Sequence, residues 1–206
     1  PVPSLFTLAL AGESLGELAG LVVDPVELEL QLPPAEAGGA VERFRQVGPL
    51  LITHWGLSGP ATLRLTAFAA RALHAASYKA ELTVRWSGGK DRAQLDELFA
   101  DARREQARRQ LGNWRPWPEL PRRLWLHVLS QAGVDSSLRW ADLSKADQRQ
   151  LVHALLASRY RVSGRGPFGE EFVTAGGVPL GEVNLATMES RRCPGLHLVG
   201  ELLDVD

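Results

Sequence analysis

The clearest fold signal in this sequence is Val26-Glu27-Leu28-Glu29-Leu30-Gln31-Leu32. Leu28, Leu30 and Leu32 alternate with polar residues. Side chains two residues apart in a β-strand point to the same face, so one face of this segment is apolar and the other polar. The pattern therefore predicts a strand with one buried face and one solvated face.

Further short apolar runs on both sides of this segment are separated by Gly-rich or Pro-rich turns. Strands are predicted at Leu5–Leu10, Leu21–Val23, Val26–Leu32, Val41–Val47, Leu50–His54 and Lys79–Trp86. Gly59-Pro60 predicts the start of one helix that ends near Ala76. Many short strands with a single helix are typical of a small barrel or a strongly bent sheet.

The hydrophobic period changes from 2 to 3.6 near Asp91 and returns to 2 after Ser158. Helices are predicted at Asp91–Leu111, Leu120–Ala132 and Ser144–Ser158, and strands at Arg159–Ser163, Glu171–Thr174 and Leu196–Val199. Ser144 and Asp147 have the spacing of a helix N-cap. We therefore predict an α+β protein in which a β-barrel-like module, residues 1–90 and 159–185, is interrupted by a helical subdomain, residues 91–158.

Composition excludes several classes of protein. The 206 residues carry a formal net charge of −1, which gives no overall field that attracts nucleic acid or a membrane. Cys193 is the single cysteine, which excludes a disulfide framework and favours a cytoplasmic location. No leader and no apolar run of about 20 residues is present. The first residue is Pro1 rather than methionine, which favours a piece of a longer protein.

Three familiar site patterns are weak or absent in this sequence. Gly164-Arg165-Gly166-Pro167-Phe168-Gly169 has the letters of a dinucleotide fingerprint, but a strand rather than a helix is predicted after it, so a hairpin turn is favoured. The five histidines lack metal-ligand spacing, so no metal site is predicted. No serine-nucleophile elbow is present, which disfavours covalent hydrolysis.

Arginines and tryptophans are interleaved around Asn113, a composition that can bind single-stranded nucleic acid. The alternative is a solvated helix face with pairs such as Asp101 with Arg104 and Glu105 with Arg109. Because acidic residues in the same region nearly balance the arginines, we favour the solvated face and expect no nucleic-acid partner.

Three segments are candidate sites. Ser58 and Gly59 precede the first helix, whose free N–H groups could face an anion or a carbonyl; an ordinary helix capped by Ser58 is the alternative. Thr174-Ala175-Gly176-Gly177-Val178 places paired glycines after a strand, where a flat ligand could approach the backbone, although a plain turn explains them equally well. Gly200-Glu201 follows a predicted buried strand and offers a carboxylate to sugar hydroxyls.

Together these blocks resemble the BaiN-like flavoproteins, also described as NAD(P)/FAD-dependent or aminoacetone-oxidase-type oxidoreductases. Thr53-His54-Trp55-Gly56-Leu57-Ser58-Gly59-Pro60 is similar to the family signature T-H-x-G-x-S-G-P. Phe172–Val178, Thr187–Ser190 and Pro194–Asp206 resemble three further blocks in the same order. The resemblance covers nearly the whole chain. In the helical stretch, residues 91–158, it is limited to helical character and includes no motif.

The resemblance implies an FAD-binding domain that is interrupted by a barrel-like, substrate-side domain with a helical subdomain. It places Thr174, Ala175, Gly176, Gly177, Val178, Gly200, Glu201, Asp204 and Asp206 near the cofactor, with Glu201 bonding the ribityl chain. Residues 186–206 would begin the returning segment of the FAD-binding domain. The glycine fingerprint that grips the pyrophosphate lies outside this sequence, so we expect FAD in the full-length parent and none on this chain alone.

The implied activity of the parent is flavin-dependent oxidation and reduction, with NAD(P)H as a candidate electron donor. The expected partners are the rest of the FAD-binding domain and a small-molecule substrate, with no membrane. No residue stands out as the catalytic acid; His54 is the weak candidate, because an imidazole titrates near neutral pH. The alternative is a stand-alone β-barrel binding module, for nucleic acid or another ligand, without catalysis.

Overall fold

The computed structural model describes residues 1–12, 15–33, 40–167 and 173–205. The strands are β1 (Val2–Ser4), β2 (Leu8–Leu10), β3 (Val22–Leu32), β4 (Glu42–Ile52), β5 (Gly56–Ser58), β6 (Ala80–Arg85), β7 (Ser158–Arg165), β8 (Val173–Ala175), β9 (Val183–Asn184) and β10 (Glu189–Ser190). The α-helices are α1 (Pro60–Phe68), α2 (Ala70–Ala75), α3 (Arg92–Glu105), α4 (Arg122–Gln131) and α5 (Lys145–Ala157). Short 3₁₀ turns include Leu111–Asn113, Trp140–Asp142 and Gly200–Leu202.

Six antiparallel strands form a closed barrel in the order β2-β5-β4-β3-β6-β7, and β7 pairs with β2 to close it. The predicted alternation in β3 is correct: Leu28, Leu30 and Leu32 are buried in the barrel. They are joined there by Leu50, Ile52, Leu57, Leu82 and Val84. The closed barrel with helices confirms the predicted α+β class.

Two pairs of predicted strands are in fact single long strands. Asp24-Pro25 does not end β3 but lies at a shift of register between Val23 and Val26. A bulge accommodates proline because the extra residue need not donate a ladder hydrogen bond. Gly48-Pro49 likewise lies within β4. The strands continue through these sites because β3 and β4 pair with each other before and after them, from Val22 and Val23 with Leu51 and Leu50 to Val26–Leu32 with Glu42–Gly48.

The chain enters the barrel through a small separate sheet. β1 pairs with β8, which joins Val2–Ser4 to Val173–Ala175. Of the predicted strand Leu5–Leu10 only Leu8–Leu10 is a strand, because Leu5 adopts a left-handed conformation with φ of 53° and turns the chain after β1. The predicted turn at residues 164–169 begins where β7 ends, and its Phe168 and Gly169 lie outside the described residues, as do Glu171 and Phe172 of the next predicted strand.

Helices α3, α4 and α5 lie between β6 and β7 in the chain. The predicted Ser144 N-cap is present, since its hydroxyl accepts a hydrogen bond from the Asp147 amide at 3.1 Å. The Trp86 amide donates to the Leu155 carbonyl oxygen at 2.8 Å, and the apolar core runs without a break from the barrel into the helices. We refer to residues 92–157 as the helical lobe. The division of the chain into domains stays a prediction.

The prediction of a buried strand at Leu196–Val199 is wrong. Leu196 and Val199 are 46% and 61% exposed. The segment makes one isolated bridge, between His197 and Glu189 of β10, flanked by hydrogen bonds from the Ser190 amide to the Leu196 carbonyl oxygen and from the Leu198 amide to the Met188 carbonyl oxygen. This short pairing does not extend into a strand, and the side chains of Leu196 and Val199 lie on the surface.

His127 on α4 provides a test of pH-dependent stability. Burial lowers the pKa of its imidazole, and the Glu17 carboxylate offsets part of that effect. The unfolded chain, with a histidine pKa of about 6.5, then binds more protons than the folded one, so the free energy of unfolding falls as the pH drops below about 6.5. We expect His127→Gln to reduce this loss between pH 7.5 and 5.5, measured by urea denaturation. His153→Gln, at an exposed site on α5, should keep the wild-type slope; equal slopes for all three proteins would contradict the assignment.

Candidate functional site

The structure brings two of the predicted cofactor segments together. The Val178 amide donates to the Leu202 carbonyl oxygen at 2.8 Å, and the Asp204 amide donates to the Val178 carbonyl oxygen at 2.9 Å. Val178 and Leu203 form a parallel bridge. We call this junction of residues 174–178 and 200–204 the 178/203 crossing. The sequence separates its two halves by more than twenty residues, and the backbone hydrogen bonds join them.

Gly177 is required by the crossing itself. A Cβ atom at this position would lie 2.4 Å from the Leu202 carbonyl oxygen and 2.6 Å from the Leu203 carbonyl oxygen. Those atoms are backbone, so they cannot move aside cheaply. At Gly176 the nearest atom to an added Cβ is the Pro1 Cα, at 3.4 Å. Of the two glycines proposed to admit a flat ligand, Gly177 instead admits a neighbouring strand of the chain.

Asp204 is held by an arginine that the sequence did not identify. Arg71 on α2 forms an ion pair with the Asp204 carboxylate. This contact fixes residues 200–204 against α2, so Asp204 has a positioning role within this chain. No sequence signal could have revealed the pair, since the two residues are 133 positions apart. Asp206 lies outside the described residues.

Gly200 and Glu201 lie on an open surface. Gly200 has a φ of 68°, and no heavy atom lies within 4 Å of the position that its Cβ would take. Glu201 is exposed. Within the described ranges, no hydrogen bond or ion pair engages its carboxylate. The surface therefore offers a negatively charged acceptor beside a backbone that a ligand can approach closely.

The start of α1 differs from the predicted alternative in which Ser58 caps the helix. Gly59, with φ of 90°, is the N-cap residue, and no side chain caps the helix. Ser58 is therefore not the cap; its carbonyl oxygen accepts a hydrogen bond from the Thr62 hydroxyl at 3.1 Å. A Cβ on Gly59 would lie 2.8 Å from the Leu51 nitrogen, and one on Gly56 would lie 2.1 Å from the Leu8 carbonyl oxygen. Both motif glycines are required by contacts inside the barrel.

The structure does not bring this helix start to the 178/203 crossing. Ser58 and Gly59 lie at the beginning of α1, which is roughly 13 Å long, whereas Arg71 lies beyond its other end. His54 is exposed in the turn between β4 and β5. In the part of the chain that the structure describes, no group of three or more His, Cys, Asp or Glu side chains could hold a metal ion. No helix there is both long and apolar enough to cross a membrane.

The barrel, the inserted helices and their order match a known family. The sequence profile "HI0933-like protein barrel and H2TH domain" matches residues 2–173. The chain belongs to the HI0933-like family. This family is linked to FAD-dependent oxidoreductases.

Two curated relatives have established names. The chain is 30% identical over 200 residues to the ribosomal RNA dihydrouridine synthase of Escherichia coli (strain K12), a match that covers 94% of this chain and 42% of that protein. It is 34% identical over 86 residues to the 3-dehydro-bile acid delta(4,6)-reductase of Clostridium scindens, covering 42% of this chain and 21% of that protein. The chain thus spans less than half the length of the curated relatives that it matches.

The residues of the crossing fit a flavin nucleotide in part. Gly200 leaves space for a ligand, and the exposed Glu201 carboxylate can accept hydrogen bonds from sugar-like hydroxyls. Asp204 and Gly177 are engaged with the chain itself, through Arg71 and through the Leu202 and Leu203 carbonyls. Thr174 is exposed, whereas Ala175 is buried in the β1–β8 sheet. The fit therefore centres on Gly200 and Glu201.

Proposed function

We propose that this chain is the substrate-side part of a BaiN-like FAD-dependent oxidoreductase whose FAD-binding domain packs on the 178/203 crossing. The observation that carries the proposal is the crossing, which joins the two predicted flavin segments and leaves Gly200 and Glu201 open. Membership of a family linked to such enzymes supports it. The alternative, a stand-alone barrel module, does not explain why residues 174–178 and 200–204 are joined beside an open surface.

A band of the sequence, residues 180–205, carries many exposed apolar side chains, which supports a covering partner domain. Between residues 180 and 205 the side chains of Leu180, Leu185, Leu196, Val199, Leu202 and Val205 are 39–61% exposed. Contiguous apolar surface on a protein marks an interaction site, because its contact with water is unfavourable. We propose that the rest of the FAD-binding domain covers this band and brings the flavin to Gly200.

The chemistry of the proposed enzyme divides between cofactor and chain. Bound FAD would supply two-electron transfer between an electron donor, for which NAD(P)H is our proposal, and the substrate. Glu201 would accept hydrogen bonds from ribityl hydroxyls, and Gly200 would let the backbone approach them. Arg71 would orient this segment through Asp204. We assign no catalytic acid, because His54 lies in the exposed turn between β4 and β5 and no other candidate is identified.

We propose RNA as the substrate class, in place of the small molecule expected from the sequence. The E. coli relative is named for ribosomal RNA, and its match covers 94% of this chain, including the helical lobe. The relative named for a bile acid matches 86 residues. The longer match favours the RNA-modifying relative as the guide to substrate.

The flavin content of two purified proteins tests the proposed function. We expect this chain alone to be colourless, because the pyrophosphate cradle supplies a large part of FAD affinity. The same protein extended to the length of its relatives should be yellow, with about one flavin per chain. Visible flavin absorbance after purification measures both. Stoichiometric flavin on the short chain, or none on the folded extended protein, would contradict the proposal.

A further inference from the structure

One edge of the helical lobe is built from two loops that are hydrogen-bonded to each other. The Leu111 and Gly112 amides donate to the carbonyl oxygens of Leu138 and Ser136, both at 2.8 Å. In return the Trp140 amide donates to the Arg109 carbonyl oxygen at 3.0 Å. The loop before α4 and the connection between α4 and α5 therefore form one firmly held surface.

The interior beneath this edge is rigid. The Trp125 indole N–H donates to the Leu111 carbonyl oxygen at 2.7 Å in a buried hydrogen bond. Trp125 stacks on Trp140 with ring centroids 6.2 Å apart, and Trp114 meets Trp140 edge-on at 5.4 Å. A Cβ on Gly112 would lie 3.0 Å from the Ser136 Cβ, so the loops approach closely. Side chains on this edge are thus presented from a fixed frame.

Two arginines line a depression in this edge, and within the described residues neither of them forms an ion pair. Arg115 and Arg122 both border a small hollow with Asn113 and Trp114. An adjoining hollow of about 350 Å³ is lined by Asn113, Trp114, Arg115, Pro116 and Pro118. The Arg115 Nε atom is buried and has no hydrogen-bond partner among the described residues. A buried N–H of a cation without an acceptor is costly, so an anion that reached this atom would be stabilised by it.

The start of α4 adds positive potential at the same place. α4 has 10 residues, and its N-cap residue, Pro121, has no side-chain acceptor for the first amides. Arg122 is its first residue. Unsatisfied N–H groups and the helix dipole favour an anion at this end. We call the surface formed by Asn113, Trp114, Arg115, Pro121 and Arg122 the arginine notch.

The charges around the notch do not cancel as the sequence suggested. In α3, Asp96 is paired with Arg92 and Gln148, and Asp101 with Arg104. In contrast, within the described residues no ion pair engages the arginines at this edge, which are Arg108, Arg109, Arg115, Arg122 and Arg139. The acidic residues nearest in sequence are Glu105, Glu119, Asp135 and Asp142, and the Asp135 carboxylate accepts from the Ser137 amide at 2.8 Å. Two of the four acids of α3, Asp96 and Asp101, are thus already engaged by other side chains.

We propose that the arginine notch binds the sugar-phosphate backbone of RNA. Guanidinium groups and a helix N-terminus recognise phosphate, and the half-buried Trp114 beside them offers an aromatic surface on which a base can stack. The aromatic neighbour favours nucleic acid over free phosphate or an acidic peptide. This inference reverses the expectation of no nucleic-acid partner. It rests on the proposed function only for RNA as the substrate, since the binding itself requires no flavin.

RNA binding by the 206-residue chain tests the proposal. The probe is a fluorescein-labelled RNA hairpin of mixed sequence, followed by anisotropy over a series of salt concentrations. Arg115→Gln combined with Arg122→Gln should weaken binding at least about tenfold, since a charge-assisted hydrogen bond is worth about that factor. It should also reduce the slope of log K against log salt by about 2. The matched control, Arg43→Gln with Arg149→Gln, removes two exposed arginines elsewhere and should bind nearly as wild type.

Three results of the binding experiment would overturn the proposal. No RNA binding by wild type at low salt, equal losses in both double variants, or equal competition by polyglutamate or inorganic phosphate would show that the notch does not recognise RNA. Thermal denaturation confirms that the variants are folded. In the extended protein, the notch variant should lose RNA binding and keep its flavin, whereas loss of both would indicate a structural role. Absence of flavin from the wild-type extended protein would reject the proposed function and leave the RNA result intact.

Discussion

Gly56→Ala should be among the most damaging single substitutions in this chain. The added Cβ would lie 2.1 Å from the Leu8 carbonyl oxygen and 3.0 Å from the Leu10 nitrogen, in the strand that closes the barrel. Because both contacts are backbone atoms, relief requires β2 and β5 to separate. Overpacking of this kind with backbone displacement costs about 3 kcal/mol or more, a large share of the stability of a typical domain. Urea denaturation followed by circular dichroism measures the loss.

Gly164→Ala is a matched control on the opposite side of the same strand. Ala9 in β2 pairs with Gly56 on one side and with Gly164 on the other. No heavy atom lies within 4 Å of the position of a Cβ at Gly164. Its replacement should change the free energy of unfolding by less than about 0.5 kcal/mol. If Gly56→Ala is as stable as Gly164→Ala, the contact between β2 and β5 is not as close as described.

The alternation in Val26–Leu32 was sufficient to predict β3 and its buried face, because the period of side chains in a strand is a local property. The ends of strands were less predictable. Asp24-Pro25 and Gly48-Pro49 have the composition of turns, yet both lie inside long strands that are paired along their length. Pairing between strands is not a local property, so composition alone overestimates the number of breaks.

Leu196–Val199 shows the opposite failure. Its apolar residues predicted a buried strand, but Leu196 and Val199 are exposed. Hydrophobicity indicates that a segment is stabilised by contact with something apolar and does not specify the partner. In our proposal that partner is the FAD-binding domain.

The candidate site was predictable as a set of segments and not as a set of contacts. Thr174–Val178 and Gly200–Asp204 were identified from their motifs, and the structure joins them. Why each residue occupies its position became clear only from the structure. Gly177 leaves room for the Leu202 carbonyl oxygen, and Asp204 forms an ion pair with Arg71. Contacts between residues so distant in sequence have no periodic signature.

Gly200→Val should cause the largest loss of flavin affinity in the extended protein, if the proposed site is correct. No heavy atom lies within 4 Å of a Cβ at Gly200, so within this chain the side chain itself meets open space. In our proposal the ribityl chain occupies that space and a branched side chain would exclude it. The φ of 68° adds strain, because β-branched residues rarely adopt this conformation. We expect more than about 100-fold weaker FAD binding, which corresponds to roughly 3 kcal/mol or more.

Glu201→Gln separates charge from shape at the same site. Glutamine keeps the size of the side chain and replaces a charged acceptor with a neutral one, and a hydrogen bond to a charged group contributes about 1.5–3 kcal/mol against about 1 for a neutral pair. We therefore expect FAD binding to weaken by roughly tenfold, less than for Gly200→Val. Titration of the apo extended protein with FAD, followed by flavin fluorescence, measures both variants, and Glu182→Gln, whose carboxylate pairs with Arg192, serves as the control. Thermal denaturation must first show that both variants are folded at the titration temperature, since Gly200 also shapes the turn before Leu202. Wild-type affinity in both would mean that Gly200-Glu201 only ends a turn, and the flavin would then have to be placed elsewhere on the protein.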